Sequence, residues 1–239
     1  MSGLAGVALE SERPRDTAAF WSALLGGTRS RSRNGDELVH LDSGLSLRLL
    51  PSSAPKTAKN RIHLDLAGGA DARDQAAVVD RAVRLGAVHA DIGQNDGPRP
   101  VPWVVLADPA GNEFCVLEPR SEYADTGSLA AVVVDVADPH GLGRFWSAAI
   151  GWPVVREHPE YVSLRRPDGR GEWLELLRAA EPDDPARPSP RCRLELAVPD
   201  GPAGLTDEAE RLTGLGAVRR GAGRLTDPEG GLIELVSTS

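Results

Sequence analysis

The sequence predicts an α+β fold in two tandem domains, each reading strand and helix in the order βαβββ twice, and three observations carry that prediction. The chain has 239 residues, more than one compact domain usually needs and right for two of roughly 120. It also repeats itself, which decides architecture before any local reading does. AAFWSALLGG (18–27) matches GRFWSAAIGW (143–152), RLGAV (84–88) matches GLGAV (214–218), and DPAGNEFCVLEP (108–119) matches DPEGGLIELVST (227–238), in the same order in both halves. Finally, runs such as GVALE, ELVHL, LSLRLL and RIHLDLA, separated by Gly, Pro and Asp clusters, have strand character. The segment PRSEYADTGS (119–128) is polar and without apolar periodicity, so it reads as a linker between domains 1–120 and 128–239.

The elements follow in order. The first helix is expected to open after Asp16 as N-cap and to set Phe20, Trp21, Leu24 and Leu25 on one stripe before Gly26 or Gly27 ends it. Phe145, Trp146, Ala149 and Ile150 repeat that stripe, so Trp21 and Trp146 read as packing anchors. A second helix in each half, 74–86 and 204–215, runs up to Gly86 or Gly216, a residue suited to a helix C-terminus. Asp108 to Gly111 and Asp227 to Gly230 fit type I turns, with Pro second and Gly fourth, that aim the final strand of each half.

Composition excludes several classes. Hydrophobic residues at 41% and charged residues at 26% are ordinary globular usage. A net charge of −8, without a Lys/Arg run interleaved with aromatics, opposes a nucleic-acid partner. The opening residues lack a basic stretch followed by an apolar one, and no segment approaches the roughly 18 apolar residues of a membrane span. Cys115 and Cys192 are the only cysteines and form no CxxC-type cluster, so free thiols in a reducing cytoplasm are expected.

FWSALLG and FWSAAIG after the first strand, NRIHLDL at strand five, and the closing DPAGNEF and DPEGGLI hairpins together resemble the vicinal oxygen chelate superfamily. That superfamily includes glyoxalase I, bleomycin-resistance proteins and extradiol dioxygenases. The resemblance spans nearly the whole chain, once per half. It implies tandem glyoxalase-like domains whose paired βαβββ modules form curled mixed sheets around an open cup. Metal ligands, where such proteins have them, come from strands one, four, five and eight, and the ion chelates two neighbouring substrate oxygens as a Lewis acid.

On that pattern the four ligand positions fall on Gly6, Arg48, His63 and Cys115 in the first half, and on Ala131, Glu175, Arg193 and Glu234 in the second. Neither half holds a complete set, and a guanidinium repels a dication. No cofactor is therefore the first expectation. If modules exchange between halves, one cup collects Glu175, His63 and Cys115, a three-ligand set for one divalent metal (Zn, Fe, Mn or Ni), and the other holds Arg48, Arg193 and Glu234. Without exchange, Glu175, Arg193 and Glu234 share a cup, as a self-neutralising network or as a substrate site.

The residues expected to line a ligand cup are Arg48, His63, Trp103, Cys115, Trp173, Glu175, Arg193 and Glu234. Each also has a plain structural reading: His63 as a hydrogen-bonded strand residue, Cys115 as inert packing between Phe114 and Val116, Trp103 and Trp173 as core on their strands. Trp173 lies two residues from Glu175, on the same strand face. The Pro-rich tracts PSSAPKTAKN (51–60) and RAAEPDDPARPSPR (178–191) precede strand five of each half and are expected to flank the cup mouths as mobile loops.

The expected function is metal-free binding of a small aromatic or anionic molecule, by resistance-type sequestration or by cofactor-free catalysis with His63 or Glu175 as general base. The alternatives are a metal-dependent lyase, isomerase or dioxygenase, and a non-catalytic structural module with filled cups. A monomer is expected over a homodimer, because tandem duplication supplies the pseudo-twofold partner. Arg in excess of Lys, with abundant Ala, Gly and Pro, resembles GC-rich bacterial coding.

Overall fold

The computed structural model describes residues 2–94, 101–179, 191–199 and 201–238. Four βαβββ modules follow one another. The first is β1 (Gly3–Ser11), α1 (Pro14–Leu25), β2 (Thr28–Arg31), β3 (Glu37–His40) and β4 (Ser46–Pro51); the second is β5 (Ile62–Leu66), α2 (Ala72–Arg84), β6 (Val88–His89), β7 (Val104–Ala107) and β8 (Glu113–Val116). The third is β9 (Leu129–Val136), α3 (Pro139–Ile150), β10 (Val154–His158), β11 (Tyr161–Leu164) and β12 (Trp173–Arg178); the fourth is β13 (Cys192–Val198), α4 (Gly201–Gly214), β14 (Val218–Gly221), β15 (Arg224–Thr226) and β16 (Leu232–Ser237).

The helix boundaries differ from expectation where capping chemistry decides them. Pro14 opens α1, with its ring-fixed φ suited to the first helical position, and Arg13 is the N-cap. Asp16 lies inside the first turn, 3.7 Å from Arg13, and does not cap. Gly26 closes α1 in the left-handed region at φ 81°, returning its N–H to the Ser22 carbonyl at 3.0 Å. α2 starts two residues earlier than its apolar pattern indicates because the Asp71 carboxylate accepts from the N–H groups of Arg73 (2.7 Å) and Asp74 (3.1 Å). α4 likewise starts at Gly201 rather than 204.

The modules make two eight-stranded mixed sheets, β14-β15-β16-β13-β1-β4-β3-β2 and β10-β11-β12-β9-β5-β8-β7-β6. Neither half of the sequence closes its own sheet. The first module joins the fourth where β1 runs antiparallel to β13, pairing Gly6 with Glu195 and Ala8 with Arg193. The second joins the third where β5 runs antiparallel to β9, pairing His63 with Val133 and Asp65 with Ala131. Exchange between halves is thus the arrangement of the chain.

Strand alternation sorts the side chains between two faces of each sheet. On β5, Ile62, Leu64 and Leu66 join the large buried core with α1, α3 and the helix-facing sides of both sheets. His63 and Asp65 point to the opposite face. Trp21 of α1 packs edge-on against Phe20 and Phe114, ring centroids 5.1 Å apart in each pair, which ties the first sheet's helix layer to β8 of the second. Its indole N–H donates to the Asp108 carboxylate at 3.0 Å, so the turn that aims β8 is also anchored to α1. No helix among the described residues is long and apolar enough to cross a membrane.

Candidate functional site

The concave face of the second sheet gathers chemistry from two modules, one from each half of the sequence. β5 supplies His63 and Asp65, β8 Cys115, and β12 Trp173 and Glu175, which stand among a second buried cluster that includes Val105, Leu117, Tyr123, Ala131 and Val133. One ligand atom from each of His63, Asp65 and Cys115 lies within 4.8 Å of the others. His63 Nε2 approaches Asp65 Oδ1 at 3.5 Å. His63 Nδ1 and Asp65 Oδ1 are buried and have no hydrogen-bond partner among the described residues. Glu175 is better served: it accepts from the Tyr123 hydroxyl at 3.0 Å and the Ser163 hydroxyl at 3.2 Å.

Burial sets the protonation of this floor. It lowers His63 to about 4, so the imidazole is neutral at physiological pH. It raises Asp65 to about 7, with the Glu175 charge adding to the rise and the Cys115 thiol opposing it by hydrogen bonding. Glu175 is also pushed up by burial, against the pull of its Tyr123 and Ser163 hydrogen bonds. Burial, reinforced by the neighbouring Asp65 charge, keeps Cys115 a thiol. The floor therefore sets a neutral imidazole and a thiol beside two carboxyl groups whose ionisation burial disfavours.

The wall is aromatic and cationic. Trp173 meets Tyr123 edge-on at 6.0 Å, with the guanidinium carbons of Arg165 and Arg156 at 5.0 and 5.3 Å from Trp173's ring. Arg156 pairs with Glu122 at 3.1 Å and Arg120 with Glu118 at 2.6 Å. Trp103 lies just before β7 rather than on a strand, and its indole donates to Gln94 at 2.8 Å. It borders a cavity of about 430 Å³ with His89, Ala90, Asp91, Val104 and Val105, by the β7-β6 edge of the same sheet.

The equivalent face of the first sheet is occupied by its own charges. Arg48 Nε stands 2.8 Å from Glu195 with Asp36 at 3.4 Å, and Arg193 Nε stands 2.7 Å from Glu234 with Glu10 at 4.0 Å. Burial, with the nearby Glu234 charge, raises Glu195 to about 7 despite Arg48. Gly6 leaves no room for a ligand side chain, because a Cβ there would strike the Ser46 carbonyl. The eight residues expected to line a cup are therefore split: Arg48, Arg193 and Glu234 on the first sheet, His63, Trp103, Cys115, Trp173 and Glu175 on the second. Sharing of one cup by Glu175, Arg193 and Glu234 is ruled out by the strand order.

Sequence reasoning missed Asp65 and Glu195, although period-two alternation puts each on the face of its neighbour, His63 or Arg193. It also missed Tyr123. The polar segment between the halves contains a 3₁₀ turn, Ser121–Tyr123, that buries this phenol against Trp173 and Glu175; one aromatic in a polar stretch is the available signal. Of the tract before β13, residues 180–190 lie outside the described residues.

A family profile described as a glyoxalase-like domain matches the chain twice, over residues 6–117 and 131–236. No curated protein matches it in sequence. Among solved structures the chain is similar to glyoxalase I from Zea mays, with TM-score 0.67 and 15% identity over 99% of this chain and 92% of that one. It is also similar to a provisionally assigned dioxygenase from Bacillus subtilis, with TM-score 0.59 and 13% identity over 98% and 84% of the two chains. Likeness at such identity is a likeness of fold.

Proposed function

The chain belongs to the glyoxalase-like domain family, within the vicinal oxygen chelate superfamily, and we propose that it binds one small organic molecule in the cup of its second sheet. The observation that carries this reading is the asymmetry of the two faces. One is filled by arginine–carboxylate pairs. The other sets an apolar wall of Val105, Val133, Tyr123 and Trp173 against a floor where His63 Nδ1, Asp65 Oδ1 and Trp173 Nε1 are buried without partners among the described residues. Buried polar atoms without partners are costly, and a ligand that supplies them recovers that energy. Sequestration needs no more than this cup. Catalysis would use neutral His63 or Glu175 to accept a proton from the bound molecule. Both sheets are completed within one chain, which favours a monomer.

The test is a thermal-shift screen of small organic acids, alcohols and amides on the protein and on Ala131→Met, which adds side chain at the cup's centre. Compounds that raise the melting temperature of the first and not of the second support the reading. Equal shifts in both would place binding elsewhere.

A second reading has its own observation. An imidazole, a thiol and a carboxylate within 4.8 Å of one another, with His63 Nδ1 and Asp65 Oδ1 unpartnered among the described residues, are a donor set that fits a divalent ion of the zinc type, with Glu175 beside it. Such an ion would supply Lewis-acid polarisation of a bound oxygen. The protein's own part is to hold His63 neutral and to fix Glu175 through Tyr123 and Ser163. Elemental analysis after zinc loading and removal of excess decides it: about one equivalent in the protein and little in His63→Ala supports the ion, and none in either excludes zinc from the site.

A further inference from the structure

We propose that the acid group of a small organic carboxylate docks on Arg165, which makes the second sheet's cup selective for anions; this rests on reading that cup as the binding site. Arg165 follows the last residue of β11, where the alternation Tyr161, Ser163, Arg165 keeps it on the face from which Ser163 reaches Glu175. The register Ser163 to Glu175 and Leu164 to Leu174 puts it next to Trp173, and its guanidinium carbon stands 5.0 Å from that ring's centroid. It is thus a cation laid on an aromatic plate at the cup wall.

Two of its donors make no hydrogen bond among the described residues. The side chain is 15% exposed, yet Nε and Nη2 are buried without a hydrogen-bond partner among the described residues. Asp125, the acidic neighbour, stands at 3.6 Å with a side chain 70% exposed, too far for a hydrogen bond and free to turn to water. The other rim arginines are engaged by Glu118 at 2.6 Å and Glu122 at 3.1 Å. The related position in the first sheet is His40, opposite Ser46 on β4 as Arg165 is opposite Trp173. There the ring is closed by Ser30 at 2.7 Å and Ser46 at 2.9 Å. The second sheet thus carries a guanidinium whose Nε and Nη2 are buried and without a hydrogen bond among the described residues, where the first carries a satisfied imidazole.

Nε and a terminal nitrogen present two parallel N–H groups, the geometry that a carboxylate meets with both oxygens. With the acid on Arg165, the ligand's apolar body extends over Ala131 and Val133 and keeps its charge away from Glu175.

Isothermal titration with benzoate and with benzamide, its near-isosteric neutral counterpart, tests this. The protein should bind benzoate more tightly than benzamide. Arg165→Met should weaken benzoate about tenfold or more, the ratio expected for a lost charge-assisted hydrogen bond, and leave benzamide nearly unchanged. Arg165→Lys, which keeps charge and stem but not the fork, should retain part of the preference and covers a Met variant that does not fold. Equal affinity for the two probes, an Arg165→Met variant that still prefers benzoate, or no benzoate binding at millimolar concentration overturns the inference. Those results leave the cup reading in place as long as Ala131→Met weakens benzamide. Should Ala131→Met weaken neither probe, the cup reading falls with it.

Discussion

The hydroxyl of Tyr123, from the segment that joins the two halves, donates to Glu175 of β12 at 3.0 Å. The connection is thereby fastened to the cup it helps to wall. Removing one donor from a buried carboxylate costs about 1 to 3 kcal/mol, because only Ser163, at 3.2 Å, still serves that oxygen among the described residues. Tyr123→Phe, which keeps the ring against Trp173, should lower the unfolding free energy by that amount, read as a lower urea midpoint with an unchanged slope. An unchanged midpoint would mean that water replaces the phenol without loss.

The two tryptophans of the repeated FWS motif are equivalent in sequence and unequal in chemistry. Trp21 donates to Asp108, which also accepts from the N–H groups of Ala110 (2.8 Å) and Asn112 (2.9 Å). Trp146 is as deeply buried, and its indole nitrogen has no partner among the described residues. Replacement by Phe removes similar volume at both sites but a charge-assisted hydrogen bond only at the first. Trp21→Phe should therefore destabilise more than Trp146→Phe, by about 1.5 kcal/mol or more in urea unfolding. Equal losses would show that the Trp21 bond adds nothing to its packing.

The same contrast explains what was legible in the sequence. Repeats and strand patterns are local and periodic, so the four modules can be read from spacing alone. Which module shares a sheet with which is not local. It depends on whether β1 finds β13 or β5, and all four first strands have similar apolar character. Once β5 meets β9, His63, Cys115 and Glu175 fall on one face, while Arg48 and Arg193 fall on the other sheet beside Glu195 and Glu234. Asp65 was within reach of the same alternation that selects His63. Tyr123, Arg156 and Arg165 were not, since their role comes from Trp173, a residue distant in sequence from Tyr123 and placed against it by the fold.

Two carboxylates should give stability opposite dependence on pH. Arg211 foremost, with Ser2, holds Glu208 down to about 2 from its ordinary 4.5, against the effect of burial. The stability it contributes is present above about 4.5 and is lost as pH falls towards 2. Glu195 is raised to about 7 by burial, so its contribution is full below 4.5 and fades as pH rises through 7. Relative to the native protein, Glu208→Gln should be least penalised in acid and Glu195→Gln least penalised at alkaline pH. Chemical denaturation across pH reads both; parallel profiles would mean that neither group titrates as its surroundings indicate.

Cys115 and Cys192 should both be unreactive towards a thiol reagent in the native protein. Each is buried and free, and burial pushes each thiol well above its ordinary value, with the Asp65 charge adding to the rise at Cys115 and the Asp108 charge at Cys192. The nucleophile in such reactions is the thiolate, so both access and ionisation oppose attack. Disulfide-exchange titration should count no fast thiol before urea is added and two afterwards. One prompt equivalent, abolished by Cys115→Ser, would mean that the cup admits the reagent and stabilises a thiolate. The floor would then carry a positive charge that His63, neutral in this structure, does not provide, and a bound cation would become the better account of it.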